Sequence, residues 1–157
     1  MCSTNWIGGI GVTMVEAQRV ARILGGPKVL GKRVRSVRDL MAAVEAGLPR
    51  EALDVVVRRV AGEGPEATDL RHRIVPKTTL ARRAERLSAE ESERLERLAR
   101  LTALAEHVWE DHAAAHEFMT SAQPRLGGSR PVDLVRSDLG TRQVEDLLWS
   151  LEYSLPV

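Results

Sequence analysis

Three histidines lie near one another in the chain, His107, His112 and His116. The last two are four residues apart and would share a helix face, as zinc-binding pairs do, with His107 about a turn earlier. A zinc peptidase needs a glutamate after the first histidine, but Ala113 stands there, and Asp111 and Glu117 fall on other faces. Solvated or partly packed histidines fit this pattern better than a metal site. Gly9-Ile10-Gly11 opens like a dinucleotide loop, yet Met14 replaces the third glycine and no strand pattern precedes it. Neither a phosphate-binding lysine loop nor a nucleophile elbow occurs. Cys2 is the single cysteine, which excludes an internal disulfide framework and a multi-thiolate cage. The chain therefore reads as a non-enzyme without a metal or cofactor.

Basic residues offer a different chemistry. Positions 71 to 86 hold six Lys/Arg (Arg71, Arg73, Lys77, Arg82, Arg83, Arg86) against one acid, Glu85. Thr78, Thr79, Arg82 and Arg83 would project from the first turns of a short helix, giving hydroxyls and guanidinium groups for phosphates and base edges. A short helix and a turn before it make this a helix-turn-helix candidate, with Arg71, Arg73 and Lys77 beside it. A solvated basic helix face would have the same composition. A second cluster, Lys28, Lys32, Arg33, Arg35 and Arg38, has no acid between 27 and 38 and suits either further phosphate contacts or a soluble linker. Net charge is only +1, but it is unevenly distributed. Residues 1–60 carry ten Lys/Arg against five Asp/Glu, residues 61–109 nine of each, and residues 110–157 four against eight. A basic front suits phosphate and an acidic back does not.

The elements that must position these groups are helical throughout. With 157 residues, 43% hydrophobic and 29% charged, the chain can bury a core without metal or disulfide staples. Val20, Ile23 and Leu24 recur at helical spacing in 15–24, and Gly25-Gly26-Pro27 ends that helix. Ser36 with Asp39 caps a second, carrying Val37, Leu40, Met41 and Val44 on its apolar face as far as Gly47. Pro49 opens a third with Leu53, Val56, Val57 and Val60, before the Gly62–Pro65 break. A short polar stretch, 65–74, leads to a compact helix over 77–85 anchored by Leu80. Ser88 and Glu91 form a capping box for the longest helix, to about Glu110, burying Leu95, Leu98, Thr102, Ala105 and Val108-Trp109. A helix over 111–120 buries Ala114, Ala115, Phe118 and Met119, a loop spans 124–131, and a last helix over 141–153 buries Val144, Leu147, Leu148 and Leu151. No segment alternates as a strand does, so the fold class is all-α. No apolar run is long enough to span a bilayer, and the stretch from Met1 to Ile10 lacks the basic start of a secretory signal. A cytoplasmic protein is the expectation.

The most specific stretch is the C-terminal third. The string Pro124-Arg125-Leu126-Gly127-Gly128-Ser129-Arg130-Pro131-Val132-Asp133-Leu134-Val135, then Gly140, then Val144-Glu145-Asp146-Leu147-Leu148 and Leu151-Glu152-Tyr153, resembles the toxin-binding domain of the Xre/ParS-like antitoxins that are paired with RES-domain toxins. Upstream, Arg86-Leu87-Ser88-Ala89-Glu90-Glu91-Ser92-Glu93-Arg94-Leu95 is similar to that family's entry to its long helix. Thr79-Leu80-Ala81-Arg82-Arg83 and Gly47-Leu48-Pro49 are also in register. The likeness covers roughly 47–157 and is spread over several motifs.

The resemblance implies an all-α homodimer: a helix-turn-helix N-terminal domain followed by a small helical toxin-binding domain. It divides the chain into an N-terminal helical arm (1–35), an Xre-like helix-turn-helix domain (36–87) and a toxin-binding domain (88–157). Its partners would be operator DNA and a RES toxin, which consumes NAD. The blocking element carried over to this sequence is Leu151, Glu152, Tyr153, Ser154, Leu155, Pro156 and Val157. Two positions depart from the family. Arg73-Ile74-Val75 occupies the turn that usually holds a glycine, and Ser154 replaces the glycine after Glu-Tyr. Trp149 is expected in the core or against the toxin. A helical DNA-binding transcriptional regulator without a toxin partner is the alternative.

Overall fold

The computed structural model describes residues 9–82 and 85–154, with side chains from Glu16 onward in those ranges. Helices follow one another as α1 (Gly9–Ile23), α2 (Gly26–Leu30), α3 (Val37–Ala46), α4 (Arg50–Ala61), α5 (Pro65–Ile74), α6 (Lys77–Arg82), α7 (Ala89–Trp109), α8 (His112–Thr120), a 3₁₀ turn (Pro124–Leu126), α9 (Pro131–Leu134) and α10 (Asp138–Ser154). The described residues form no strand, only an isolated antiparallel bridge between Pro49 and Arg86.

Both predicted capping boxes are present. Ser36 Oγ accepts from the Asp39 amide at 3.1 Å while Asp39 accepts from the Ser36 amide, and Ser88 and Glu91 do the same at the start of α7. Each pairing satisfies amides that a helix start would otherwise leave bare. The middle of α7 is buried on every side, from Leu101 through Ala105, so this helix is the axle of the molecule. It packs against α1, α3, α4, α5, α8 and α10. Leu95, Leu98, Ala99, Leu101 and Ala105 reach zero exposure, and burying each leucine side chain contributes about 1.5–3 kcal/mol. Val20 and Ile23 of α1, Leu24 just past its end and Leu148 of α10 complete the same core, so the N-terminal helix is built into it.

Several expectations change. The first helix begins at Gly9, not Val15, which places Gly9-Ile10-Gly11 inside α1. Gly25 does end it, in a left-handed conformation, but Pro27 then sits in the first turn of a new helix, α2. Val37 and Met41, read as core, are 40% and 56% exposed, because α3 turns Leu40, Ala43 and Val44 inward instead. Trp109 also reaches solvent at the end of α7, where its ring lies 6.2 Å from that of Phe118. Ala114 and Leu151 are half-buried. The loop after α8 holds a 3₁₀ turn and is followed by α9, and α10 starts three residues earlier than predicted, at Asp138.

Candidate functional site

The helix-turn-helix candidate is the pair α5 and α6. Ala67, Leu70 and Ile74 bury the inner face of α5. Val75 ends it in extended backbone (φ −127°, ψ 114°), the region favoured before a proline. The Pro76 carbonyl then accepts from the Leu80 amide at 2.8 Å and α6 begins. A sharp turn therefore forms without glycine, because none of its residues needs a left-handed conformation. Fully buried Val75 plugs the turn into the core.

The end of α6 is clamped from the other side. Arg50 donates its amide to the Glu85 carbonyl at 2.8 Å, and Leu87 donates to the Leu48 carbonyl at 2.9 Å. Arg86 Nη1 donates to the Gly47 carbonyl at 2.8 Å, Arg50 Nη1 to the Leu80 carbonyl at 3.3 Å, and the Leu48 amide to Ser92 Oγ at 2.8 Å. Gly47 makes this approach possible: its φ is +91°, and a Cβ there would sit 2.3 Å from the Leu87 carbonyl oxygen. Arg50 and Arg86 were not among the sequence candidates. Arg50 had no signal beyond Gly47-Leu48-Pro49 lying in the family register, whereas Arg86 belonged to the basic 71–86 cluster and opened the family-like string that runs to Leu95.

The predicted DNA-contacting residues fall into two groups. Lys77, Thr78 and Arg82 are exposed on α6, and Thr79 is half-buried beside them. Lys77 and Arg82 make no ion pair with other described residues. Arg83 lies outside the described residues. Arg71 and Arg73, on α5, are engaged elsewhere. Arg71 Nη2 lies 2.8 Å from Asp54 Oδ1 on α4, with its Nε buried and unbonded. Arg73 pairs with Asp69 at 2.7 Å and with Asp133 of α9. Asp133 also accepts from Arg130 Nε at 2.8 Å, and Arg130 Nη1 reaches Glu66 Oε1 at 2.8 Å. The hydrogen bonds from Arg130, with the charge of Arg73 added, outweigh burial and hold the Asp133 carboxyl below its ordinary range. This network ties α5 to the C-terminal helices.

At the other end of the chain, Ser137 starts α10 by accepting the Gly140 amide at 3.0 Å, and Gly140 lies against α9, where a Cβ would be 2.3 Å from the Leu134 carbonyl oxygen. Val144, Leu147 and Leu148 are buried along α10. Its last turn then emerges: Glu152 Oε1 lies 3.6 Å from His107 Nε2, and Tyr153, 61% exposed, stacks on Trp149 with centroids 6.1 Å apart and planes at 22°. Trp149 is half-buried and Ser154 exposed, whereas Leu155, Pro156 and Val157 lie outside the described residues. The three histidines do not converge. His107 faces Glu152, His112 Nδ1 lies 2.9 Å from Glu106 Oε1, and His116 has neither partner. Glu106 is also bidentate with Arg59 at 2.7 and 2.8 Å. Burial raises its carboxyl, but the hydrogen bonds from Arg59 and His112 prevail and leave it below the ordinary value. Among the described residues no group of three or more His, Cys, Asp and Glu side chains could hold a metal ion.

Residues 39–100 match the Antitoxin Xre-like helix-turn-helix domain, and residues 104–153 match the Antitoxin Xre/MbcA/ParS C-terminal toxin-binding domain. Two successive stretches of the chain are thus similar to the two domains of Xre-family antitoxins. It is also 37% identical over 81 residues to an Antitoxin Xre of Pseudomonas putida, a stretch covering 50% of this chain and 51% of that protein. The chain thus matches about half the length of that relative. The two matched stretches meet within α7, which packs against α3, α4 and α5 of the first and against α8 and α10 of the second. Helices α1 and α2 precede both matches. No helix among the described residues is long and apolar enough to cross a membrane.

Proposed function

We propose that this chain is the cytoplasmic, non-enzymatic antitoxin of a RES-domain, NAD-consuming toxin. Its C-terminal end, residues 151–157, occludes the toxin's active site, and a homodimer represses its own operon through α6. The observation that carries this reading is the last turn of α10, where the exposed Tyr153 is stacked on Trp149 and its neighbour Glu152 faces His107. An aromatic side chain already held in place loses little entropy on docking and is the kind of anchor that dominates protein interfaces. The four Lys/Arg against eight Asp/Glu of residues 110–157 also suit a pocket that normally receives an anionic dinucleotide. On the other surface, Lys77, Thr78, Thr79 and Arg82, with Arg83 following, supply the cations and hydroxyls that phosphates and base edges require.

The test is co-expression of the full chain with a RES-type toxin encoded beside it, with and without residues 151–157, reading growth and cellular NAD. Removal of the tail is expected to abolish rescue, and Tyr153→Ala to weaken toxin capture by about 10-fold or more. Rescue that survives the deletion would overturn the occlusion mechanism. A locus with no toxin gene beside it, together with a chain that still binds its upstream DNA, would favour the DNA-binding regulator without a toxin partner.

A further inference from the structure

Helices α1 and α2 and the segment that follows them carry a feature the two matched domains do not account for. Between α1, α2 and the chain leading to α3 lies an open depression of about 590 Å³ whose rim holds Arg22, Lys32, Arg33 and Arg35. All four cations are exposed, over an apolar floor that includes Ala21, Leu30 and Val34. Lys32 also lines a second depression, of about 360 Å³, which continues past Gly47 and Pro49 to Arg86. Neither depression is lined by an aspartate or glutamate. Arg22, Lys32 and Arg33 make no ion pair among the described residues. Asp39, four residues after Arg35, accepts from the amides of Arg35 and Ser36 at the start of α3. Arg86, held by the Gly47 carbonyl, follows the end of α6 by four residues. The cations thus form a track that runs from the helix-turn-helix to the N-terminal helices.

We infer that this track is a second DNA-backbone contact, in which Arg86, Lys32, Arg33, Arg35 and Arg22 neutralise successive phosphates beside the duplex segment held by α6. The inference rests on the reading that α6 binds DNA. A polymer fits better than a small anion. The cations lie on the rim of open depressions, spread over two of them, and no buried polar side chain points inward to enclose a compact ligand. An acidic protein surface would meet the same charges, but cations spread along the rims of two open depressions suit a regular row of phosphates. The positive balance of residues 1–60, ten Lys/Arg against five Asp/Glu, supplies the steering field. Contacts of this kind position a protein on DNA without reading sequence.

The experiment measures binding of the full chain to two duplexes, the DNA upstream of its own reading frame and a random sequence of about 30 bp, between about 50 and 200 mM salt. Four proteins are compared: the wild type, Arg82→Ala on α6, the triple variant Lys32→Ala/Arg33→Ala/Arg35→Ala, and a charge-conserving version of that triple variant. The triple variant is expected to bind both duplexes more weakly, and its plot of log K against log salt to be shallower by about 2–3, since each phosphate left without its cation lowers the slope by about 0.9. Arg82→Ala is expected to reduce discrimination between the duplexes. The charge-conserving triple variant Lys32→Arg/Arg33→Lys/Arg35→Lys is expected to restore slope and affinity, which separates missing charge from a folding defect. An unchanged slope in the Ala variant, while Arg82→Ala weakens binding, overturns this inference and leaves the role of α6 intact. Loss of toxin capture with unchanged DNA binding overturns it in favour of a protein-binding surface. A wild type that binds neither duplex sinks both readings.

Discussion

Asp133 gathers two guanidinium groups from different parts of the chain, Arg130 three residues before it and Arg73 sixty residues before it. Its carboxyl is held low chiefly by the hydrogen bonds from Arg130. Folding therefore favours the charged form. The resulting stability is fully present above the unfolded value near about 4 and is lost as pH falls through the lower folded value. Asp133→Asn is expected to cost about 1 kcal/mol at pH 7, since the partners are about one-third exposed and solvent screens them. Urea unfolding of both proteins checks it, and the difference should shrink as pH drops below about 4. Arg130 and Asp133 are joined within the single turn that opens α9, whereas Arg73 comes from a distant part of the chain. In the sequence Arg73 reads as one more cation of the 71–86 cluster, and only the packing of α5 beside α9 commits it to carboxylates.

Elements with their own start signals were the legible ones. The Ser36–Asp39 and Ser88–Glu91 boxes fixed where α3 and α7 begin, because a cap acts within four residues and needs no tertiary partner. The short helices α2 and α9 carry no such signal. They are flanked by glycine and proline that look like loop, and the helices packed over them make them stable. The inward face of α3 was misread at Val37 and Met41 for a related reason, since periodicity defines a stripe and the neighbouring helices decide how wide it is. Junctions between elements depend on close backbone approach, and Gly47 is the sharpest case. Gly47→Ala is expected to destabilise the protein by about 2–4 kcal/mol, combining a positive φ with a backbone clash. Gly127→Ala, with φ +65° and open space around its Cβ, should cost about 1 kcal/mol. Equal midpoints for the two variants in a urea titration would contradict the role given to the 47–50 clamp.

At the scale of the molecule, one helix serves every part. Because α7 closes the helix-turn-helix and also carries α1, α8 and α10, the described helices share a single core. Leu24→Ala, at the fully buried residue that follows α1, is expected to cost about 2–5 kcal/mol. The loss should appear as one transition, with circular dichroism and tryptophan fluorescence coinciding. Two separated transitions would show that α1 is an appendage and not part of the core.

The sequence by itself determined the all-α class, the long central helix, most of its buried face and the family likeness, because these rest on periodicity, caps and short motifs that act locally. Tertiary structure decided that Arg71 and Arg73 of the basic cluster are tied to carboxylates while Arg82 on α6 is not, how Val75-Pro76 makes a turn without glycine, and how a distant basic segment comes beside Arg86. Those outcomes depend on contacts between residues tens of positions apart, and an ion pair or a shared groove leaves no periodic trace in the chain that forms it.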